Sequence, residues 1–370
     1  MNIGRRSLLV LAGAAVMVAP TASAATAGGS GHTRQATLEV VASGLNNPRH
    51  LTVDRGTIWV AEAGVGGGLQ CIVTPEGEQC LGRSGAITTV RDGEVRRVVE
   101  GLPSLGAPTD GSYATGPADL SLVGGKLQVL MSTSGIDQRT GLNPFGANGP
   151  EMGRLLHYDR LDQAPRLGAD FGVHEARTNP DGGIGAPPGN EIESNPYGMT
   201  PYRGGYAVAD AGANTLLWVD PLGKVHTLAV FPTKDMGDGW QLHSAPTAVE
   251  VGPDGALYVA ELSVVPGTAR VYRVVPGQAP TVYADGLTLL TDLAFDHKGR
   301  LLAVSLSAAG EIFPPGPGKI TRFERDGSRT EFSPAGLIAP TGIAVSGRDL
   351  FLSNQALAPG IGEIVKVRLP

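Results

Sequence analysis

The sequence predicts an all-β chain folded as a six-bladed β-propeller of four-stranded blades, on three observations. A short apolar strand that opens on Pro, or on a residue in its place, recurs six times. Its copies are NPRHLTV (47–53), GPADLSL (116–122), NPYGMTP (195–201), APTAVEV (245–251), LTDLAF (290–295) and APTGIAV (339–345). A turn and an alternating strand follow each copy: GTIWVAE (56–62), GKLQVLM (125–131), GGYAVAD (204–210), GALYVAE (255–261), GRLLAVS (299–305) and RDLFLSN (348–354). Period-two alternation and β-branched residues dominate throughout, and helical periodicity is nearly absent. A lone blade cannot bury both of its faces, so the six must close into a ring.

The elements follow in order. Arg5 and Arg6 precede the apolar run Leu8–Ala19 and the small-residue stretch TASAATA with Ala22 and Ala24. A basic start, a short apolar core and an Ala-x-Ala site make residues 1–24 a secretory signal peptide. The run is shorter than the roughly 20 residues that a stable bilayer span needs. Its paired arginines suit a loose twin-arginine pattern as well as an ordinary Sec signal, so the expected secretion has two candidate routes. Residues 25–36 read as a flexible lead and 37–370 as one propeller domain.

Third strands are GAITTVR (85–91), GRLLHYD (153–159), TLLWVD (215–220), ARVYRV (269–274), GKITRF (318–323) and GEIVKV (362–367). A fourth strand closes most units, as EVRRVVEGL (94–102) and PTVYADGL (280–287) do. The last unit, Pro340 to Pro370, supplies only three strands. Its fourth is TLEVVASGL (37–45), at the other end of the chain. Pairing Thr37–Ala42 beside Gly362–Leu369 locks the ring and covers an edge that would otherwise invite aggregation.

Surplus residues fall in three loops rich in Gly, Pro and Asn: Gly64–Arg83, Gly135–Glu151 and Ala176–Ser194. Loops this long are usually functional or disordered. The first two follow second strands and so emerge on one rim, as insertions on the binding face of a repeat array do. A net charge of −6, made more acidic by loss of Arg5 and Arg6, with no basic patch, excludes nucleic acid as the expected partner. No second apolar run approaches membrane length, and a monomer is expected. Cys71 and Cys80, the two cysteines, suit a disulfide in an exported chain, worth about 2–3 kcal/mol for so short a loop.

GLNNPRHL, WVAEAGVGGG with the two cysteines, RSGAI, GPADLS, SNPYGM, DAGANTLLWVD and GPDGALYVAEL resemble the ScyD/ScyE family. The motifs run in register along the mature chain. The resemblance implies an exported six-bladed propeller and assigns no reaction. His50 stands where the family more usually has Gly, so the resemblance gives that residue no role.

Two columns of the repeat hold candidate binding residues. The ends of the second strands read Glu62, Met131, Asp210, Glu261, Ser305 and Asn354. A column at the first strands reads His50, Asp119, Gly198, Ala248, Asp292 and Gly342. Equivalent positions ring the axis of a propeller, so Glu62, Asp119, Asp210, Glu261, Asp292 and Asn354 are expected at one channel mouth. Carboxylates that converge repel unless a proton or cation intervenes. A Ca²⁺ held by such oxygens fits that chemistry, and a wet channel without metal fits it too. By resemblance to the gluconolactonase propellers, a metal-dependent lactonase would carry its ligands at Arg49, Ala118, Tyr197, Thr247, Thr291 and Thr341, which include no carboxylate or Asn. In the loop KDMGDGWQLHS, Trp240 is the expected exposed aromatic platform, with His243 beside it. The expected function is a secreted, non-catalytic propeller that binds a small molecule, glycan or protein, with no cofactor assigned. The alternative is a lactonase-like hydrolase or sugar oxidoreductase that uses the acidic mouth with a divalent metal.

Overall fold

A computed structural model describes residues 36–370 except 75–76, 134–135, 185, 187–188, 190 and 313. The expected signal peptide, and the lead up to residue 35, lie outside the described residues. Six antiparallel blades of four strands stand in a ring, the first carrying an extra fifth strand. Their innermost strands are Pro48–Asp54, Pro117–Val123, Pro196–Tyr202, Pro246–Val251, Leu290–Phe295 and Gly342–Ser346. Each inner strand touches the next, and the sixth touches the first.

Burial explains the closure. Each junction between blades holds its own apolar cluster, such as Leu120, Val129 and Leu156 of blade 2 against Ile87, Leu102 and Leu105 of blade 1. The junction of blades 6 and 1 joins Ala42, Leu45 and Ile364 to Leu51, Ile58 and Val60. Two of those residues come from the strand Thr37–Leu45, which pairs antiparallel with Gly362–Arg368. The N-terminal strand is therefore the outer strand of the last blade, as the repeat predicts.

The first insertion departs from the expected loop. Gln70–Thr74 pairs with the start of a 15-residue strand, Gly77–Arg91, which continues as the third strand of blade 1. Cys71 and Cys80 face each other in that register and form a disulfide. Its base is dense: a Cβ on Gly82 would lie 2.1 Å from the Gly66 carbonyl oxygen, so only glycine fits. A second departure is the helix Phe171–Thr178, capped by the Asp170 side chain on the Val173 N–H at 3.0 Å. Two turns of helix are too short to stand out as a period in the sequence.

The three insertions are tied to one another. Gln70 Nε2 donates to the Pro144 carbonyl at 3.0 Å, and Arg83 reaches Glu151 at 2.8 Å and the Asn148 carbonyl at 2.9 Å. Gln138 exchanges two bonds with the backbone of Ile192, at 2.8 and 2.9 Å. A continuous rim over blades 1–3 results, on the face where inner strands begin and second strands end.

Leu45 is wholly buried at the closing junction. Leu45→Ala is expected to lower the unfolding free energy by about 2–5 kcal/mol in urea denaturation. An unchanged midpoint would contradict closure by this strand.

Candidate functional site

Antiparallel geometry places side chains two residues apart on one face of a strand. Along the six inner strands two such layers turn toward the axis. The first holds His50, Asp119, Gly198, Ala248, Asp292 and Gly342. The second holds Thr52, Ser121, Thr200, Glu250, Ala294 and Ala344. The layer between them, Leu51, Leu120, Met199, Val249, Leu293 and Ile343, belongs to the apolar packing between blades.

His50 closes the axis at the first layer. Its Nδ1 lies 3.2 Å from Asp119 Oδ2, and its Nε2 lies 3.1 Å from the Thr291 carbonyl and 4.0 Å from Asp292 Oδ1. Asp119 belongs to blade 2 and Asp292 to blade 5, so one imidazole links opposite sides of the ring. Tyr197 meets it edge to face, with ring centroids 5.4 Å apart. The imidazole fits because its neighbours lack side chains. A Cβ on Gly198 would lie 3.2 Å from His50 Cε1, and one on Gly342 would lie 2.9 Å from His50 Cα.

The two aspartates also fasten blades. Asp119 accepts from its own chain at Leu120 N (2.6 Å) and from Met199 N of blade 3 (2.7 Å). Asp292 does the same with Leu293 N (2.8 Å) and Ile343 N of blade 6 (2.7 Å). Burial opposes a charge on His50, but Asp292 and Asp119 outweigh it and raise its pKa to about 10. Burial pushes Asp292 up to about 6, with His50 pulling the other way. Glu250, half-buried at the second layer, is pushed to about 8 by burial and by the two aspartates.

A small polar cavity of about 90 Å³ lies below the imidazole, lined by His50, Asp119, Ser121, Thr200, Glu250 and Asp292 among others. It extends toward the ends of the inner strands, so it opens on the short-turn face, away from the insertions.

The second column behaves otherwise, which corrects the expectation of a single acidic mouth. Glu62 takes Arg97 on both oxygens (3.0 and 2.9 Å), the Thr88 hydroxyl and the Asn46 N–H (2.7 Å). Asp210 accepts from Ser194 Oγ and Asn195 N, both at 2.6 Å, and burial raises its pKa. Glu261 pairs with Lys234, and burial raises the first and lowers the second. Asn354 holds Ile338 N at 2.7 Å and Glu363 at 2.8 Å. All four are wholly buried, and none lines the cavity. Each fastens a loop of its own blade, because the second strand stands one strand back from the axis. Among the described residues, no group of three or more His, Cys, Asp or Glu is arranged to hold a metal ion.

The positions where a lactonase would carry ligands serve the ring instead. Thr247, Thr291 and Thr341 donate to the carbonyls of Leu290 (2.9 Å), Pro340 (3.1 Å) and Pro48 (2.8 Å), each on the next blade. Arg49 is buried and donates to the Ala356 and Ala114 carbonyls at 2.8 and 2.7 Å, one residue nearer the insertions than His50.

On the insertion-bearing face, Trp240 is 52% exposed at the tip of a small hairpin, Lys234–Asp235 with Gln241–Leu242. His243 is half-buried and bonded to Asn214 at 3.0 Å, which in turn reaches Asp181 of the third insertion at 2.8 Å. Trp240 is thus available to a ligand, whereas His243 is part of the rim. Glu250 was missed from the sequence. Its signal was the period of two: it stands two residues beyond Ala248 of the first column.

No protein-family model matches the chain, and no curated protein matches it. Among solved structures, it is similar to a PQQ-bound aldose sugar dehydrogenase from Streptomyces coelicolor: 14% identity, 90% of this chain and 98% of that one, TM-score 0.52. It is also similar to a gluconolactonase from Xanthomonas campestris: 12% identity, 90% of each chain, TM-score 0.52. A third is regucalcin, a calcium-binding protein from Agrobacterium tumefaciens: 14% identity, 90% and 94% coverage, TM-score 0.50. At such identities the likeness shows the fold alone.

The axial ion cluster gives a stability prediction. His50 gains its raised pKa on folding, so its contribution is complete below the ordinary value of 6.5 and is lost as pH climbs toward about 10. Above about 8, where Glu250 has already ionised, wild type is expected to lose stability with pH faster than His50→Gln. His50→Leu, which leaves two buried aspartates without a countercharge, is expected to cost about 3–5 kcal/mol at neutral pH in denaturant unfolding. A parallel pH profile for wild type and His50→Gln would contradict a charged imidazole.

Proposed function

We propose that the chain is an exported, non-catalytic binding protein of the ScyD/ScyE type that takes its ligand on the insertion-bearing face. The observation that carries this reading is a cleft of about 330 Å³ between the disulfide-braced hairpin and the second insertion. It is lined by Ile72, Val73, Ile136, Asp137 and Pro144. Val73 is 85% exposed, and Leu69 and Leu142 lie open on the same insertions. An apolar cleft with one carboxylate suits an apolar or aromatic ligand, and Trp240 offers an aromatic surface on the same face.

The walls are fixed before any ligand arrives, by the disulfide and by the bonds from Gln70 and Arg83 to the second insertion. Such preorganisation reduces the ordering entropy that binding must overcome. Paired cysteines suit an oxidising compartment, in keeping with export. The lactonase or oxidoreductase reading has less support. The axis on this face is filled by Arg49 and His50, whose polar groups are already committed to the ring.

A thermal-shift screen of aromatic metabolites and oligosaccharides against the purified protein tests the proposal. The expected result is a ligand recovered chemically unchanged whose affinity falls at least tenfold in Val73→Asp, about 1.4 kcal/mol. Conversion of a bound compound to product would overturn the non-catalytic reading. An affinity unmoved by Val73→Asp would overturn the placement.

A further inference from the structure

We infer that the cavity on the short-turn face of the channel is a binding site for a primary ammonium group. This site is separate from the insertion-face cleft and does not depend on it.

Charge comes first. Three carboxylates, Asp119, Glu250 and Asp292, line the cavity against one imidazolium, His50. With all four ionised, the site carries an excess of negative charge and calls for a cation. Tyr197, the remaining titratable group against His50, sits at the ring edge and adds no positive charge.

Free hydrogen-bonding capacity narrows the cation. Each oxygen of Asp119 and Asp292 already accepts one backbone N–H, from Leu120, Met199, Leu293 or Ile343, which leaves fewer lone pairs for a ligand. Ca²⁺ or Mg²⁺, which takes about six or more oxygen ligands, is poorly served by that set. Three further acceptors face the cavity. The hydroxyls of Ser121 and Thr200 are each only 7% exposed, and neither has a protein hydrogen-bond partner among the described residues. The Glu250 carboxylate accepts from the backbone of Val251. Neither oxygen is sealed off, so both are open to accept from a group that enters the cavity. An –NH₃⁺ group presents three donors and no acceptor, and so matches these three acceptors in number and sign.

Size and access agree. The cavity of about 90 Å³ admits a slender alkyl ammonium tip and excludes a sugar or an aromatic ring. From the Glu250 layer to the His50 layer is two strand residues, about 7 Å, roughly the reach of a lysine stem. The raised pKa of Glu250 is the state of the empty site: a bound ammonium would favour its ionised form. The same chemistry is offered by a free small amine or by a lysine side chain of a partner.

Calorimetric titration of the intact protein separates the outcomes. The probes are n-butylammonium, n-butanol, guanidinium, and a short peptide with a single lysine, free or acetylated. Butylammonium is expected to bind and butanol is not. Glu250→Gln is expected to weaken binding at least tenfold, and Ser121→Ala by several-fold. Wild-type affinity should rise as pH climbs toward about 8, with a proton released on binding below that value, and this coupling should vanish in Glu250→Gln. A free-lysine peptide that binds more tightly than butylammonium, with its acetylated form inert, identifies a partner's lysine. An equal or weaker affinity identifies a free amine. Equal binding by butanol or guanidinium, an unchanged affinity in Glu250→Gln, or no binding by any amine would overturn the inference.

Discussion

A four-stranded blade has two apolar faces and no means of covering either by itself, and everything else in this molecule follows from that constraint. Each face must be met by a neighbour, so the ring cannot stop at any blade. The last junction is completed by Ala42 and Leu45, which arrive from the start of the chain and join Leu51 and Val60 of the first blade. Closure also brings six inner strands to one axis. Side chains that would be surface residues on an open sheet there meet their counterparts from the opposite side.

Crowding at the axis decides what those counterparts can be. One layer combines a single imidazole with two aspartates and two glycines, because larger residues at Gly198 or Gly342 would collide with His50 or with the adjacent backbone. The charges are balanced locally by backbone N–H groups and by each other. The same bonds that satisfy Asp119 and Asp292 also hold blade 2 to blade 3 and blade 5 to blade 6. The axis is therefore a structural lock on the insertion side and a small polar cavity on the other. The insertions supply a broader, apolar surface at some distance from it.

The propeller was legible because its evidence is repeated: six copies of a strand, a turn and a strand leave little room for another topology. The disulfide was legible from compartment and spacing. The hairpin that carries it was not, because its glycines read as loop punctuation although QCIVT is rich in β-branched residues. Asp119 and Asp292, from one column, line the axial cavity. Glu62, Asp210, Glu261 and Asn354 were aligned with equal regularity yet point to other work. Their column is as periodic as the first, but periodicity marks equivalence between blades and is silent on distance from the axis. His50 was visible in the same column and received no role because it departs from the family pattern. That departure is what places the one cation among the aspartates.

A charged His50 bridges Asp119 and Asp292 across the ring. Nitrogen NMR of the imidazole tests it most directly, at about pH 8, where an ordinary histidine is neutral. Both ring nitrogens of His50 are expected to carry protons there, with deprotonation only near 10. A neutral imidazole with one bare nitrogen at that pH would contradict it.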